Sequence, residues 1–120
     1  MKKLFILLVG IFFIVGCSNN SENNGLISYM DAKELIINEG AILVDVRTAD
    51  EYNERHIGGA VLLTLDSINE DTALNIINDK STPIILYCKS GKRSSQAVIK
   101  FESLVYTEVY DLGSINNWKE

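Results

Sequence analysis

Position 88 is a cysteine, followed by Lys89, Ser90, Gly91, Lys92, Arg93 and Ser94, so a thiol, three cationic side chains and a glycine fall in one short stretch. The thiolate is the nucleophilic form of cysteine, and its pKa falls beside cations and at helix N-termini. An apolar run, Ile84-Ile85-Leu86-Tyr87, leads into the thiol, and Ser95-Gln96-Ala97-Val98-Ile99 comes after it with helical character. Cys88 is therefore expected in the loop where a buried strand gives way to a helix. Gly91 permits a sharp path there, and successive backbone N–H groups in such a loop form an anion-binding concavity. The concavity could hold a thiolate or the anionic end of a small reactant. Lys89, Lys92 and Arg93 would draw in an anionic reactant and stabilise charge on a departing one. The competing reading is a cysteine buried for packing alone, beside lysines and an arginine that merely solvate a loop edge.

Other residues that could do chemistry are fewer. Asp45 closes the apolar run Ala41-Ile42-Leu43-Val44 and needs a partner if buried, with Arg47 the nearest candidate in sequence. His56 is the sole histidine; a thiolate already formed needs no general base, which leaves it a hydrogen-bonding role. Trp118 suits the core, where an indole gains most from burial. No histidines and carboxylates have metal-ligand spacing and no nucleotide-type phosphate loop occurs, so neither metal nor cofactor is expected.

The elements that must position these residues alternate between helix and strand. Ser28 with Asp31 opens a helix carrying Ala32, Leu35 and Ile36, which stops at Gly40. Residues 41–44 read as a strand covered on both faces, and Thr48 with Glu51 forms a capping box for a short second helix. Ile57-Gly58-Gly59-Ala60-Val61 reads as a turn into a short strand. A third helix is expected from Asp71 or Thr72, with Leu74, Ile76 and Ile77 apolar, ending before Ser81-Thr82-Pro83. The strand 84–87 delivers Cys88, a helix spans 94–103, a last strand spans 108–112, and Gly113-Ser114 begins a terminal helical turn. This alternation predicts an α/β sandwich with a mostly parallel sheet.

The chain has 120 residues and a formal charge of -5, enough for one small domain. Its start belongs to something else. Met1-Lys2-Lys3 is a basic n-region, residues 4–16 are almost wholly apolar, and Cys17 comes next. That run is short for a membrane span and suits a secretory signal. Ile14-Val15-Gly16-Cys17 resembles the lipobox of bacterial lipoproteins, which implies a signal peptide over 1–16, lipid attachment at Cys17 and an extracytoplasmic domain anchored at the cell membrane. Residues 17–25 then form a polar tether, and the domain spans 26–120. Without Lys2 and Lys3 the remainder is more acidic still, which argues against a nucleic-acid partner. With Cys17 lipidated, Cys88 has no thiol partner within the chain.

Four stretches together resemble the rhodanese family of single-domain sulfurtransferases: Leu43-Val44-Asp45-Val46-Arg47 with Glu51-Tyr52, His56-Ile57-Gly58-Gly59-Ala60, the loop from Tyr87 to Ser94, and Gly113-Ser114-Ile115-Asn116-Asn117-Trp118. The resemblance implies a rhodanese-like α/β/α sandwich. It implies that Cys88 takes a sulfane sulfur from thiosulfate or a persulfide, forms its own persulfide and passes the sulfur to a thiol or cyanide. Lys89, Ser90, Gly91, Lys92, Arg93 and Ser94 become the substrate-binding loop, and Asp45 and Arg47 a structural pair near the site. The implied partners are a small anionic sulfur donor and a thiol-bearing acceptor, acting on a monomer. Phosphatases of similar fold place their arginine after five intervening residues; here four separate Cys88 from Arg93, which favours sulfur transfer. The alternative is a non-catalytic binding module or persulfide carrier in the cell envelope. The chain departs from the family pattern at Ser103-Leu104-Val105-Tyr106, where many relatives have a glycine, and many relatives also continue beyond the tryptophan.

Overall fold

A computed structural model describes residues 25–119. The expected signal peptide, Cys17 and all of the tether except Gly25 lie outside the described residues. Four strands, β1 (Ile42–Asp45), β2 (Val61–Leu62), β3 (Ile84–Cys88) and β4 (Val109–Ser114), make one parallel sheet in the order β2-β1-β3-β4. Helix α1 (Tyr29–Glu39) precedes β1, helices α2 (Ala49–Glu54), α3 (Glu70–Ile76) and α4 (Lys92–Ser103) connect the strands, and 3-10 turns lie at Leu65–Ser67 and Ile115–Asn117.

Every residue of β3 is buried, and alternation sends its side chains into two cores. Ile84, Leu86 and Cys88 pack with Val44, Ala73 of α3, and Ala97 and Phe101 of α4. Ile85 and Tyr87 pack with Leu43, Ala32 of α1, Leu112 and Ile115. A sheet covered on both faces explains why its central strands read as unbroken apolar runs. The result is the expected α/β/α sandwich.

Local signals account for most boundaries. Ser28 Oγ accepts the Asp31 N–H at 3.1 Å, and Gly40, at φ +67°, closes α1 in the left-handed region. Thr48 and Glu51 form the reciprocal capping box of α2. Helix α3 starts earlier than the expected Asp71 or Thr72. Asn69 Oδ1 accepts the Thr72 N–H while the Asn69 N–H donates to Thr72 Oγ1, both at 3.0 Å, so Thr72 is the third helical residue. Helix α4 also begins before Ser94, at Lys92, because Gly91 at φ +100° turns the chain directly into it. Trp118 is half-buried at the core's margin, its ring edge-on to Tyr29 at 4.8 Å.

The segment 103–106 ends α4 in a Schellman arrangement. Tyr106 N–H reaches Phe101 O and Val105 N–H reaches Glu102 O, and the Phe101 and Tyr106 rings meet edge to face at 5.4 Å. The left-handed position that usually goes to glycine is filled by Val105, at φ +72° and 66% exposed.

Strand order reverses between β1 and β3: β2 lies on one side of β1, β3 and β4 on the other. Crevices outside the carboxyl ends of strands at such switch points are the usual ligand sites of open α/β sheets. Asp45 and Cys88 are the last residues of those two strands.

Candidate active site

Cys88 Sγ is enclosed by the loop that comes after it. The side chain is 0% exposed, and Sγ accepts N–H groups from Gly91 at 2.9 Å and Ser94 at 3.3 Å. Three features shape the loop. Gly91 takes φ +100°, and a Cβ there would stand 3.6 Å from Gly113 Cα, so loop and β4 run close together. Register slips between Leu86 and Tyr87, which pair with Asp111 and Gly113 and leave Leu112 as a bulge beside the loop. Ser114 Oγ then donates to Lys89 O at 2.7 Å, tying the loop's start to the end of β4.

The thiol's pKa lies below its ordinary value of 9.0. Burial is the largest influence and pushes it up; hydrogen bonds from the Ser94 N–H and hydroxyl and from the Gly91 and Ser90 N–H groups together outweigh it. Ser94 Oγ also lies 3.1 Å from Gly91 O, and one hydroxyl proton serves either that carbonyl or the sulfur at a given moment. The expected cationic field is therefore replaced by backbone donors as the main stabiliser of the thiolate. Arg93 feels the charge of Cys88, but that interaction ranks below the four hydrogen bonds.

The three loop cations differ in position. Lys89 and Lys92 are exposed, and Lys89 lines a cleft of about 440 Å³ with Arg47, Glu51, Glu54, Arg55 and Asn116 among its neighbours. Arg93, expected to meet an incoming anion, instead forms a two-point pair with Glu51: Nη1 to Oε1 at 2.8 Å and Nη2 to Oε2 at 3.1 Å. In the sequence Glu51 is legible as a helix cap and as part of the stretch that follows Arg47. Its second role joins α2 to the loop across 42 residues, and no local pattern marks it.

Asp45 and Arg47 do pair, as their burial demands. Arg47 Nη2 lies 2.7 Å from Asp45 Oδ2, Nε bridges both carboxylate oxygens at 3.0 and 3.1 Å, and the Arg47 N–H donates to Oδ1 at 2.8 Å. Arg47 Nη2 also donates to Arg55 O. Tyr87 completes the group: its hydroxyl accepts the Ile57 N–H at 3.1 Å, and the Arg47 guanidinium stands over its ring at 5.6 Å. Burial raises the Tyr87 pKa well above the usual phenol value. Strand alternation puts Tyr87 and Cys88 on opposite faces of the sheet, so this network braces the end of β3 from behind the thiol. His56 Nδ1 lies 2.8 Å from Tyr52 O and its ring stacks on Tyr52 at 3.8 Å, which fits the expected hydrogen-bonding role. Among the described residues, no cluster of histidine, cysteine and carboxylate side chains could hold a metal ion.

A family model described as a rhodanese-like domain matches residues 28–120. The thiosulfate sulfurtransferase GlpE of Coxiella burnetii is 32% identical over 94 residues, covering 78% of this chain and 85% of that one. The thiosulfate sulfurtransferase PspE of Escherichia coli is 30% identical over 74 residues, covering 62% and 70%. Among solved structures, the BH2092 protein of Bacillus halodurans aligns with a TM-score of 0.66 at 34% identity, over 78% of this chain and 69% of that one. A rhodanese with anions from E. coli aligns with a TM-score of 0.61 at 26% identity, over 64% and 89%.

Proposed function

This chain belongs to the rhodanese-like domain family, and on that premise we propose that it is a sulfurtransferase working through a persulfide on Cys88. The observation that carries the reading is the placement of Sγ against the Gly91 and Ser94 N–H groups at the head of α4. Those donors favour the thiolate before any substrate arrives, and they remain in place for a bound anion. The Cys88 thiolate attacks the outer sulfur of thiosulfate; a new S–S bond forms, the old one breaks, and its electron pair leaves with sulfite. Cys88 then carries a persulfide anion. A thiolate or cyanide takes the outer sulfur from it, giving a new persulfide or thiocyanate and regenerating the thiolate. Charge and electrons balance at each step, with no metal or redox cofactor needed. Relatives named thiosulfate sulfurtransferase support this chemistry for the family.

Thiocyanate formation from thiosulfate and cyanide tests the proposal. Cys88→Ser is expected to lower it at least about a thousandfold, as loss of a covalent nucleophile does. Equal rates in the two proteins would end the assignment. The complete burial of Cys88 favours a second reading, a rhodanese-like module that binds a partner without turning over. Intact mass after exposure to a sulfur donor separates the two, because the binding module gains no sulfur at Cys88.

We also propose that the domain is held outside the cytoplasm by lipid on Cys17. The basic start, the apolar run over 4–16 and the small residue before Cys17 support it. Cys17→Ala should abolish lipid labelling, whereas release of wild-type protein with a free Cys17 amine would contradict it.

A further inference from the structure

Arg93 is the loop cation best suited to an incoming dianion, since a guanidinium grips an oxyanion at two points. In this structure both of its terminal nitrogens face the Glu51 carboxylate. Glu51 is itself fixed. Its Oε1 also accepts the Thr48 N–H at 2.9 Å and the Thr48 hydroxyl at 3.0 Å, so the carboxylate is held by the start of α2 and cannot simply move with the arginine. The pair cancels the charge that Arg93 would otherwise offer. The adjoining cleft places two carboxylates, Glu51 and Glu54, among its cations Arg47, Arg55 and Lys89, and Arg47 is itself already paired with Asp45. A dianion entering there meets the Glu51 and Glu54 carboxylates without the free Arg93 fork to offset them, whereas a reactant with little net charge meets less of that repulsion.

We propose that Glu51 is a positioning residue that sets donor specificity: by holding Arg93 in a two-point pair it withholds that cation from dianionic donors such as thiosulfate, and so favours organic persulfides of low net charge. This rests on the sulfurtransferase reading and narrows its substrate class. Releasing Arg93 should therefore improve the use of thiosulfate. If Glu51 merely aimed Arg93 at the donor, its release would have the opposite effect.

Glu51→Gln removes the charge and keeps an acceptor for the Thr48 N–H, since glutamine also completes a capping box. The experiment measures persulfide formation on Cys88 by intact mass over a range of thiosulfate and, separately, cysteine persulfide concentrations. In Glu51→Gln the ratio of thiosulfate to persulfide efficiency is expected to rise by up to about fivefold, the worth of a favourable exposed ion pair, with the change in half-saturating thiosulfate rather than in limiting rate. Adding Arg93→Ala to Glu51→Gln should cancel the gain. A ratio that stays level or falls, or a gain that survives loss of Arg93, overturns the role of Glu51. A second measurement needs no sulfur chemistry: sulfate titrated by NMR into Cys88→Ser protein should bind more tightly when Glu51→Gln is added, and equal or weaker binding counts against the proposal. Failure of wild-type Cys88 to gain sulfur from either donor would defeat the sulfurtransferase reading itself, and the sulfate titration would still decide whether Glu51 restrains Arg93.

Discussion

Among the described residues, two arginine–carboxylate pairs of similar geometry lie at different depths. In the Asp45–Arg47 pair the side chains are 0% and 7% exposed, and the members lie two residues apart. In the Glu51–Arg93 pair they are 26% and 31% exposed and the members come from separate elements. Where water is excluded, each charge depends on its partner and on every remaining donor and acceptor being matched. The deep pair meets that demand through the Arg47 N–H and the Arg55 carbonyl, and among the described residues no buried side-chain nitrogen or oxygen lacks a partner. Water can replace either member of the shallow pair, so it can open without wrecking the fold. Identical chemistry thus serves as a brace behind β3 in one place and as a latch beside the thiol in the other.

The contrast is broken most directly at the deep pair. Asp45→Asn leaves the Arg47 charge buried without compensation, and a loss of about 3–5 kcal/mol is expected in urea unfolding. A loss below about 1 kcal/mol would mean that depth does not separate the two pairs. Glu51→Gln at neutral pH should cost only about 0.2–1 kcal/mol, and less at high salt.

Acid sharpens the same contrast. The hydrogen bonds to Arg93, then to the Thr48 N–H, hold the Glu51 pKa down at about 2, against 4.5 for the free group. A carboxylate depressed in the folded state adds stability that is complete above pH 4.5 and disappears as pH falls toward 2. Unfolding curves of wild type and Glu51→Gln should therefore converge across that window. Curves that stay parallel would place the pair's contribution elsewhere.

Much of this molecule is legible in its sequence because the signals are local. Ser28, Gly40 and the Thr48–Glu51 box mark helix ends within a few residues, and the unbroken apolar runs over 41–44 and 84–87 mark central strands. The start of α3 is harder to place because Asn69 and Thr72 cap reciprocally, which makes Thr72 look like a first residue when it is the third. The source of thiolate stabilisation is hidden for a deeper reason. Sequence displays side chains, and so three cations draw attention, whereas the donors that reach Sγ are mostly backbone N–H groups whose direction only the folded loop defines. The Glu51–Arg93 contact is concealed because Glu51 already has a sufficient local role.

Far from the thiol, Val105 occupies the left-handed position that ends α4, where a β-branched side chain costs about 1–2 kcal/mol. Glycine there would release that cost while adding roughly 0.5–1 kcal/mol of freedom to the unfolded chain, for a net gain near 0.5 kcal/mol. In a domain of this size that is a rise in Tm of roughly 2–4 °C by calorimetry; an unchanged or lower Tm would show that the turn is not under strain. The side chain is exposed, so little packing is lost. Val105→Gly would then offset a loss as small as that expected of Glu51→Gln, and let that variant be compared at unchanged stability.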